Sequence, residues 1–399
     1  MLEQLCRDYL TQLCVNIPER PVGSDGNRRA TAFFAAEMAR FGWQVQQDSF
    51  PAIGWAEEGA TLKVAGQDFA ARPSPYALGC QVTAELVAAA SIAELAMLTC
   101  AGKLLLLHGA LAAEQIMPKN FVFYNPAEHQ QLIALLEAKS PAALICATGR
   151  NAALAGGLYP FPLFEDGDFD IPSVYMTDVE GERLLAQVGQ TASLTSRCQR
   201  IPGDGWNIIG RKGPAAGQRI VITAHIDAKE GTPGAIDNGT GVIILLLLAQ
   251  LLADYDGPHQ LEIVAFNGED YYAAPGQMLY LGQNEGRFGN ILYNINIDGA
   301  GYKEGPSAFS YYDLPPAIED GIRQEMAASP GIVAGNQWYQ GDHSIFLQQG
   351  CPALAVSSLW FTDNIADQTI THTPADRPEI VDLHKLVEIA DCLARIIQL

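Results

Sequence analysis

The sequence has 399 residues, which predicts two domains or one domain with a large insertion. A hydrophobic content of 48% and a charged content of 17% are typical of a globular protein with a sizeable core. The formal net charge of -21 argues against nucleic acid or an anionic membrane as a partner, because both select basic surfaces. The longest apolar run, residues 242–249, is too short to span a bilayer.

The first ten residues lack the basic start and apolar core of a signal peptide, so we expect a cytoplasmic protein unless a signal has been removed. The 8 cysteines are scattered, without a Cys-x-x-Cys pair, and several lie in apolar runs. We therefore expect buried free thiols rather than a disulfide framework.

The N-terminal fifty residues predict a scaffold of two helices and a strand. Residues 2–16 and 28–41 have the apolar spacing of amphipathic helices, and residues 43–50 alternate like a half-buried strand. The loop between the helices, residues 18–27, is interpreted as a turn rather than as part of a site.

Residues 51–202 are rich in short apolar runs, unlike the segments on either side. They predict a separate, small β-rich module inserted into the remaining chain. Apolar strands are expected at 60–64, 102–107, 142–147, 172–176 and 192–195, with helices at 128–138 and 178–187. We see no metal-ligand spacing in this segment, and His108 and His129 are interpreted as surface or core residues. Residues 1–50 and 203–399 then form one discontinuous domain.

Strands and helices alternate in residues 203–399, which predicts a mainly parallel sheet with helices on both faces. Strands are expected at 219–224, 260–266, 290–297 and 351–357, and helices at 241–252, 272–281 and 378–398. The helix at 241–252 is apolar nearly all round, which is typical of a helix buried against a sheet.

Candidate ligands follow the ends of these strands, where open α/β sheets build their sites. His225 and Asp227 stand two residues apart, so both side chains share one face of the strand. A carboxylate there can accept the second imidazole N–H, which predicts His225 as a ligand and Asp227 as its orienter. Asp237 could cap the following helix, but a carboxylate can also bridge two cations.

Glu269 and Asp270 are adjacent carboxylates after the strand at 260–266. Adjacent side chains point different ways, so one can bind metal while the other acts as a general base. Asp298 ends the next strand, and His372 precedes the final helix. Two divalent cations would be balanced by three aspartates and a hydroxide, and the imidazole and carboxylate ligands favour zinc over cobalt or manganese.

Six segments resemble, in order, the motifs of the co-catalytic zinc aminopeptidases: HID, GAIDNGTG, AFNGED, NINIDGAG, GDHSIFLQQGCPAL and THTPAD. These enzymes form metallopeptidase family twenty-eight of clan MH, with glutamate carboxypeptidase II and glutaminyl cyclase as relatives. GKLLLLHG, SPAALICATG and IPSVYMTDVEGERLLA resemble the family's protease-associated domain. The resemblance implies the zinc exopeptidase fold, an α/β fold whose mainly parallel mixed sheet is sandwiched by helices, with an inserted β-rich protease-associated domain.

Carried over by position, the resemblance implies two divalent metal ions, interpreted as Zn²⁺. One is expected on His225, Asp237 and Asp298, and the other on Asp237, Asp270 and His372.

Glu269 is implied as the general base, which deprotonates a metal-bridging water and later hands the proton to the leaving amine. Asp342 and His343 match a family Asp-His pair near the site, and we interpret them as supporting or substrate-contacting residues.

Two departures from the family pattern stand out. Many members have Glu-Glu where this chain has Glu269-Asp270, and the shorter Asp270 predicts a displaced or weaker second metal. Thr371 stands where many members carry a tyrosine that helps hold the oxyanion. The candidates for a replacement donor are Tyr311, Tyr312, Tyr339 and His343.

The leading hypothesis is a zinc-dependent exopeptidase, an aminopeptidase that acts on peptides. One alternative is a glutaminyl-cyclase-like zinc acyltransferase, against which the insert speaks. The other is a catalytically silent, receptor-like binding protein. The complete set of candidate ligands argues against this alternative. The sequence leaves open the side-chain preference, the oligomeric state and whether the insert restricts entry to short peptides.

Overall fold

The structure, a computed structural model, describes residues 2–150, 158–365 and 367–399. The chain forms two compact units. Unit 1 comprises Met1–Ala52 and Gly203–Leu399, and unit 2 comprises Ile53–Pro202.

The chain passes from unit 1 into unit 2 and then back into unit 1. Unit 1 begins with α1 (Leu2–Thr11), a π-helical turn (Gln12–Asn16), α2 (Asp25–Arg40) and the start of β1 (Gln44–Val64). Unit 2 continues with β2 (Gln67–Phe69), β3 (Arg72–Pro73), β4 (Cys80–Ala89), α3 (Ile92–Met97), β5 (Leu104–Leu107), α4 (Ala127–Lys139), β6 (Ala143–Thr148), β7 (Ser173–Thr177) and α5 (Asp178–Leu185). The chain returns to unit 1 along β8 (Thr191–Lys212), followed by β9 (Arg219–His225), α6 (Thr240–Leu251), β10 (Gln260–Phe266), α7 (Pro275–Gln283), β11 (Ile291–Ile297), β12 (Ser307–Tyr312), α8 (Pro316–Ala327), β13 (Ile332–Ala334), α9 (His343–Gln348), β14 (Ala353–Ser358), α10 (Leu359–Asn364) and α11 (Leu383–Ile397).

The sheet of unit 1 has the strand order β13-β12-β14-β11-β9-β10-β8. Its four central strands, β14, β11, β9 and β10, are mutually parallel, while β12 and β8 run antiparallel to β14 and β10. His225 pairs in register with Phe266, so β9 and β10 end side by side. The expected α/β fold with a mainly parallel mixed sheet is confirmed, and the central strands deliver their last residues to one edge.

Helices cover both faces of this sheet. Successive residues of a strand face opposite sides, so a strand that is apolar throughout must be covered on both faces. On one face, Ile220, Ile222 and Ala224 of β9 join a core with α1, α2, α6 and α11. On the other, Phe266 contacts Tyr280 of α7, with ring centroids 5.1 Å apart. Helix α6 is buried along its whole apolar run, which explains why it carries almost no polar residue.

In unit 2, strands β4, β5, β6 and β7 pair in this order and are mutually parallel. The first part of β8 pairs antiparallel with β4, and β3 pairs antiparallel with β7. Strand β5 shows the two-sided burial, because Leu105 and Leu107 enter one apolar cluster while Leu104 and Leu106 enter another. The sequence pattern predicted β5, β6 and β7 but missed β4.

Two expected helix starts in unit 1 need correction, and some elements were missed. The last helix begins at Leu383 rather than at Pro378, because the Asp382 side chain accepts the N–H of His384 (3.0 Å) and caps the helix there. Helix α7 begins at Pro275 rather than at residue 272, since proline suits the first helical turn. Strands β12 and β13 and helix α8 were not predicted.

All eight cysteines have free thiols, and six of them are buried, as expected. Among the described residues, no helix is long and apolar enough to cross a membrane. The cytoplasmic location stays a prediction.

Candidate metal centre

Two groups of ligand-type side chains meet where the central strands of unit 1 end. One group consists of His225, Asp237 and Asp298, and the other of Asp237, Asp270 and His372. Within each group, the ligand atoms all lie within 4.8 Å of one another. His225 is the last residue of β9, and Asp298 follows β11 directly. The structure therefore brings together all five side chains that the sequence predicted as ligands.

Asp237 belongs to both groups, and its two oxygens face different histidines. Its Oδ1 lies 3.1 Å from His225 Nε2, and its Oδ2 lies 3.1 Å from His372 Nε2. Asp298 Oδ1 lies 3.7 Å from His225 Nε2, and Asp270 Oδ1 lies 3.0 Å from His372 Nε2. This is the arrangement expected of a carboxylate that bridges two cations.

The two groups form a region of concentrated negative charge. Burial lowers the pKa of the His225 imidazole, but Asp298, Asp227 and Asp237 together raise it well above its ordinary value. For Asp237, burial raises the pKa of the carboxyl, and the neighbouring imidazoles of His225 and His372 outweigh burial and lower it. Buried positive charge is thus strongly favoured among these carboxylates.

The donor set fits divalent metal ions. His225 Nε2 and Asp270 Oδ2 are buried and make no hydrogen bond, which costs free energy in a site without a cation. Both atoms carry lone pairs, as a metal ligand must. Imidazole nitrogen combined with carboxylate oxygen is a ligand set typical of zinc.

Asp227 has a role beyond the predicted orientation of His225. His225 Nδ1 lies 3.2 Å from the main-chain oxygen of Asp227 and 3.7 Å from its carboxylate. The carboxylate also accepts the amide N–H groups of Gly268 (2.8 Å), Glu269 (3.3 Å) and Asp270 (2.9 Å). Charge-assisted bonds of this kind are stronger than neutral ones, so Asp227 fixes the loop that carries Glu269 and Asp270.

Gly268 permits the turn that begins this loop. Its φ of +130° is a conformation that L side chains rarely adopt, and an added Cβ would lie 2.8 Å from Pro275 Cδ. Glu269 follows directly. Burial raises the pKa of the Glu269 carboxyl well above its ordinary value, and Asp270 and Asp298 add to the effect, while His225 opposes it.

Asp376 supports the bridging aspartate, a role that the sequence did not reveal. Its side chain is fully buried, and its two oxygens accept the N–H groups of Ile236 (2.7 Å) and Asp237 (3.0 Å). Burial raises the pKa of Asp376 to about 7, with a further increase from the charge of Asp237. Asp376 lies in the THTPAD motif, but its contact with Ile236 is to a main-chain N–H, so the sequence does not predict it.

Arg20 holds the same loop from the N-terminal segment. It is almost fully buried, and its guanidinium donates to the main-chain oxygens of Ile226 (3.0 Å), Pro233 (2.8 Å) and Gly234 (2.8 Å). A fourth bond reaches Leu13 O (2.6 Å). The loop of residues 18–27, interpreted as a simple turn, therefore carries a residue that braces the site.

Gln368 shapes the segment that presents His372. Its Oε1 accepts the N–H groups of Ile370 (2.8 Å) and Thr371 (3.0 Å), and its Nε2 donates to the Thr371 hydroxyl. His372 itself has a φ of +59°, which is uncommon for a residue with a side chain and needs support from its surroundings. The Thr371 hydroxyl is thus engaged within this loop.

Asp342 lies near the ligands, and His343 is a packed core residue. Asp342 Oδ1 accepts the side-chain N–H of Gln277 (2.8 Å), while its buried Oδ2 makes no hydrogen bond. Burial raises the pKa of Asp342 to about 7, opposed by His225 and increased by Asp298. His343 Nε2 lies 2.8 Å from the main-chain oxygen of Trp338, and burial lowers its pKa to about 4.

The tyrosines considered as oxyanion donors direct their hydroxyls to other protein groups. Tyr311 donates to Met326 Sδ, Tyr312 to the main-chain oxygen of Trp338, and Tyr339 to Gln337 Oε1. The structure therefore singles out none of them as a donor.

Comparison with known proteins agrees with this geometry. Residues 207–397 match the model of Peptidase family M28. Aminopeptidase YwaD of Bacillus subtilis (strain 168) is 26% identical over 139 residues, which cover 34% of this chain and 30% of YwaD. The match thus spans less than a third of that relative's length.

Solved structures share the fold over nearly the whole chain. The aminopeptidase from Aneurinibacillus sp. strain AM-1 has a TM-score of 0.77 at 21% identity, covering 99% of this chain and 93% of that chain. BSAP, a zinc aminopeptidase from Bacillus subtilis, has a TM-score of 0.74 at 19% identity, covering 99% and 94%. The segment that matches the family model contains all five candidate ligands. Over residues 207–397, the chain thus resembles peptidase family M28.

Proposed function

We propose that this protein is a dinuclear zinc aminopeptidase, which removes N-terminal residues from peptides. The observation that carries the proposal is the pair of ligand groups sharing Asp237, with an oxygen 3.1 Å from each histidine. The family match and the similarity to aminopeptidases support the exopeptidase activity. The relative named a zinc aminopeptidase supports zinc as the metal.

The residues divide the chemistry among them. His225, Asp237 and Asp298 would hold one cation, and Asp237, Asp270 and His372 the other. Bound divalent cations would supply Lewis-acid activation of water and of the substrate carbonyl.

Glu269 supplies the proton transfers. It stands beside Asp270 in the loop that Asp227 fixes, so its side chain is positioned at the same edge as the ligands. Glu269 accepts a proton from the attacking water and returns it to the leaving amine as the peptide bond breaks. Asp376 and Arg20 keep the loop of Asp237 in place during these steps.

Metal counting combined with a peptide panel tests this proposal. We expect about two zinc ions per chain, and hydrolysis of peptides with a free N-terminus that acetylation of that N-terminus and chelation both abolish. Release of C-terminal residues from the acetylated peptides would assign a carboxypeptidase instead. Activity that is indifferent to a chelator would refute the metal mechanism.

The same experiment separates the alternatives. A glutaminyl-cyclase-like acyltransferase would bind about one zinc and form pyroglutamate from an N-terminal glutamine. A receptor-like binding protein would turn over none of the peptides. The second ligand group, with Asp270 and His372 3.0 Å apart, favours the dinuclear peptidase over both.

We also propose that unit 2 is a protease-associated domain. Two observations support this proposal. Strands β4 to β7 of unit 2 are parallel, and in sequence unit 2 is one continuous segment between the two segments of unit 1. Deletion of unit 2, with closure of the chain, should change the activity on long peptides relative to dipeptides. An unchanged ratio would refute a role in substrate selection.

A further inference from the structure

A polar cleft lies in unit 1 at the opposite edge of the sheet from the metal ligands. It has a volume of about 500 Å³ and is lined by Arg219 and Gln260, the first residues of β9 and β10. Arg211 and Arg287 line it as well. Strand β9 extends from Arg219 in this cleft to His225 in the metal centre, a separation of about 20 Å at ~3.3 Å per residue.

The cleft concentrates positive charge in an acidic protein. Three arginines line it, and none of its lining residues is an aspartate or a glutamate. The chain as a whole has 45 acidic residues against 24 basic ones, so this grouping runs against the overall composition. The remaining lining side chains are mostly amides, among them Gln260, Gln283 and Asn290, and they offer further N–H donors.

A buried carboxylate beneath the cleft holds two of these arginines in place. Glu262 has no exposed side-chain surface, and its Oε2 lies 2.6 Å from Arg211 Nε and 3.2 Å from Arg219 Nη1. Its Oε1 accepts the hydroxyl of Tyr280 (2.7 Å). Glu262 thus pairs with Arg211 and Arg219 and offsets one of the three arginine charges.

Both guanidinium groups are also oriented by amide side chains. Arg211 Nη1 donates to Gln46 Oε1 (2.6 Å), and Arg219 Nη2 donates to Asn284 Oδ1 (2.9 Å). Their side chains are 28% and 14% exposed, so their charges are screened less than those of free surface arginines. The forks are thus fixed before any ligand arrives, which lowers the entropic cost of binding.

We propose that this cleft binds a small polyvalent oxyanion, either a phosphate group or a polycarboxylate. Guanidinium forks match both kinds of ligand with paired hydrogen bonds. The volume is within the range of small-ligand pockets and exceeds what a chloride ion needs. This site is separate from the metal centre, so its occupancy is measurable whether or not the protein hydrolyses peptides.

Calorimetric titration of the metal-loaded protein tests the proposal, with inorganic phosphate, glycerol phosphate and citrate as probes and chloride at matched ionic strength as reference. We expect at least one of the three probes to bind in a way that chloride does not reproduce, and to bind more weakly to the Arg287→Gln variant, since phosphate and citrate can also coordinate zinc at the metal centre. Tighter binding of glycerol phosphate than of inorganic phosphate would identify a phosphate ester as the ligand class, and tightest binding of citrate a polycarboxylate. The absence of any binding beyond that of chloride would overturn the proposal.

Matched variants locate the binding. Arg287 is exposed, so Arg287→Gln should fold normally and weaken the preferred anion about tenfold or more. Arg7→Gln changes the net charge equally, on the exposed side of α1, and should leave the affinity unchanged. Arg211→Lys keeps the charge but loses the fork, and should also weaken binding. Equal affinities of the Arg287 and Arg7 variants would place the anion elsewhere and refute the assignment.

Discussion

Asp376→Asn tests whether the bridging aspartate is held by a neighbouring carboxylate. The substitution preserves shape and removes one of the two acceptor oxygens. The N–H groups of Ile236 and Asp237 both point at this side chain, so one of them would face an amide NH₂ and lose its partner.

The size of the effect follows from the chemistry of that contact. A hydrogen bond to a charged group contributes about 1.5–3 kcal/mol, and a buried donor left unpaired costs a similar amount. Because Asp376 is fully buried, we expect a loss of about 3 kcal/mol in the free energy of unfolding. Partners that orient metal ligands typically change metal affinity by about 10- to 100-fold, and we expect a loss in that range.

Two measurements check this prediction at pH 8, above the pKa of about 7 for Asp376, where the carboxylate is ionised. Urea unfolding gives the stability, and competition with a chromophoric chelator gives the zinc affinity. Asp363→Asn serves as the control, because it makes the same charge change at an exposed position of α10. Zinc affinity equal to that of the control would show that Asp376 does not position Asp237.

The remaining predictions concern the base, the second ligand group and a buried histidine. Glu269→Gln should lower kcat by about 10²–10⁴-fold with zinc content retained, and an active variant would remove Glu269 from the proton transfers. Asp270→Asn should lower the zinc content from two towards one per chain after dialysis against a low, buffered concentration of free zinc, measured by atomic absorption, and unchanged content would exclude Asp270 as a ligand. Burial lowers the pKa of His343 to about 4, from an ordinary value of 6.5. As the pH falls from 6.5 towards 4, the unfolded chain therefore takes up a proton that the folded chain does not, and we expect the free energy of unfolding to fall by about 3 kcal/mol. Urea unfolding should show this loss in the parent protein and in His384→Gln, a variant at an exposed site, but much less of it in His343→Gln.

The elements around the site were predictable because burial leaves a pattern. Strand β10 was expected at its observed bounds, since its apolar run stands between polar segments. Strand β12 was missed, because its sequence SAFSYY mixes polar and aromatic residues. Helix α8 carries Pro and Gly within its bounds, which weakened its helical pattern.

The candidate ligands were predictable for a related reason. Each follows an apolar strand or lies in a short motif, and parallel strands deliver their ends to one edge. Their supports were not predictable. Arg20, Asp376 and Gln368 form hydrogen bonds with main-chain atoms. Every residue type has the same main-chain atoms, so the sequence does not indicate which residues these side chains contact. In the same way, nothing in the sequence indicated that the Asp227 carboxylate, predicted to orient His225, also accepts three main-chain N–H groups.

The brace formed by Arg20 also constrains the order in which the protein can fold. The guanidinium binds the main chain at Pro233, 213 residues further along. Unit 2 is continuous, so all of its chain is available once residue 202 has been synthesised. Unit 1 cannot complete its fold until more than 200 residues after Arg20 have been synthesised. Its first helices precede the insert in sequence, and most of its sheet follows it. Such long-range closure is slow, and during synthesis we expect the inserted unit to fold first and the metal centre to form last.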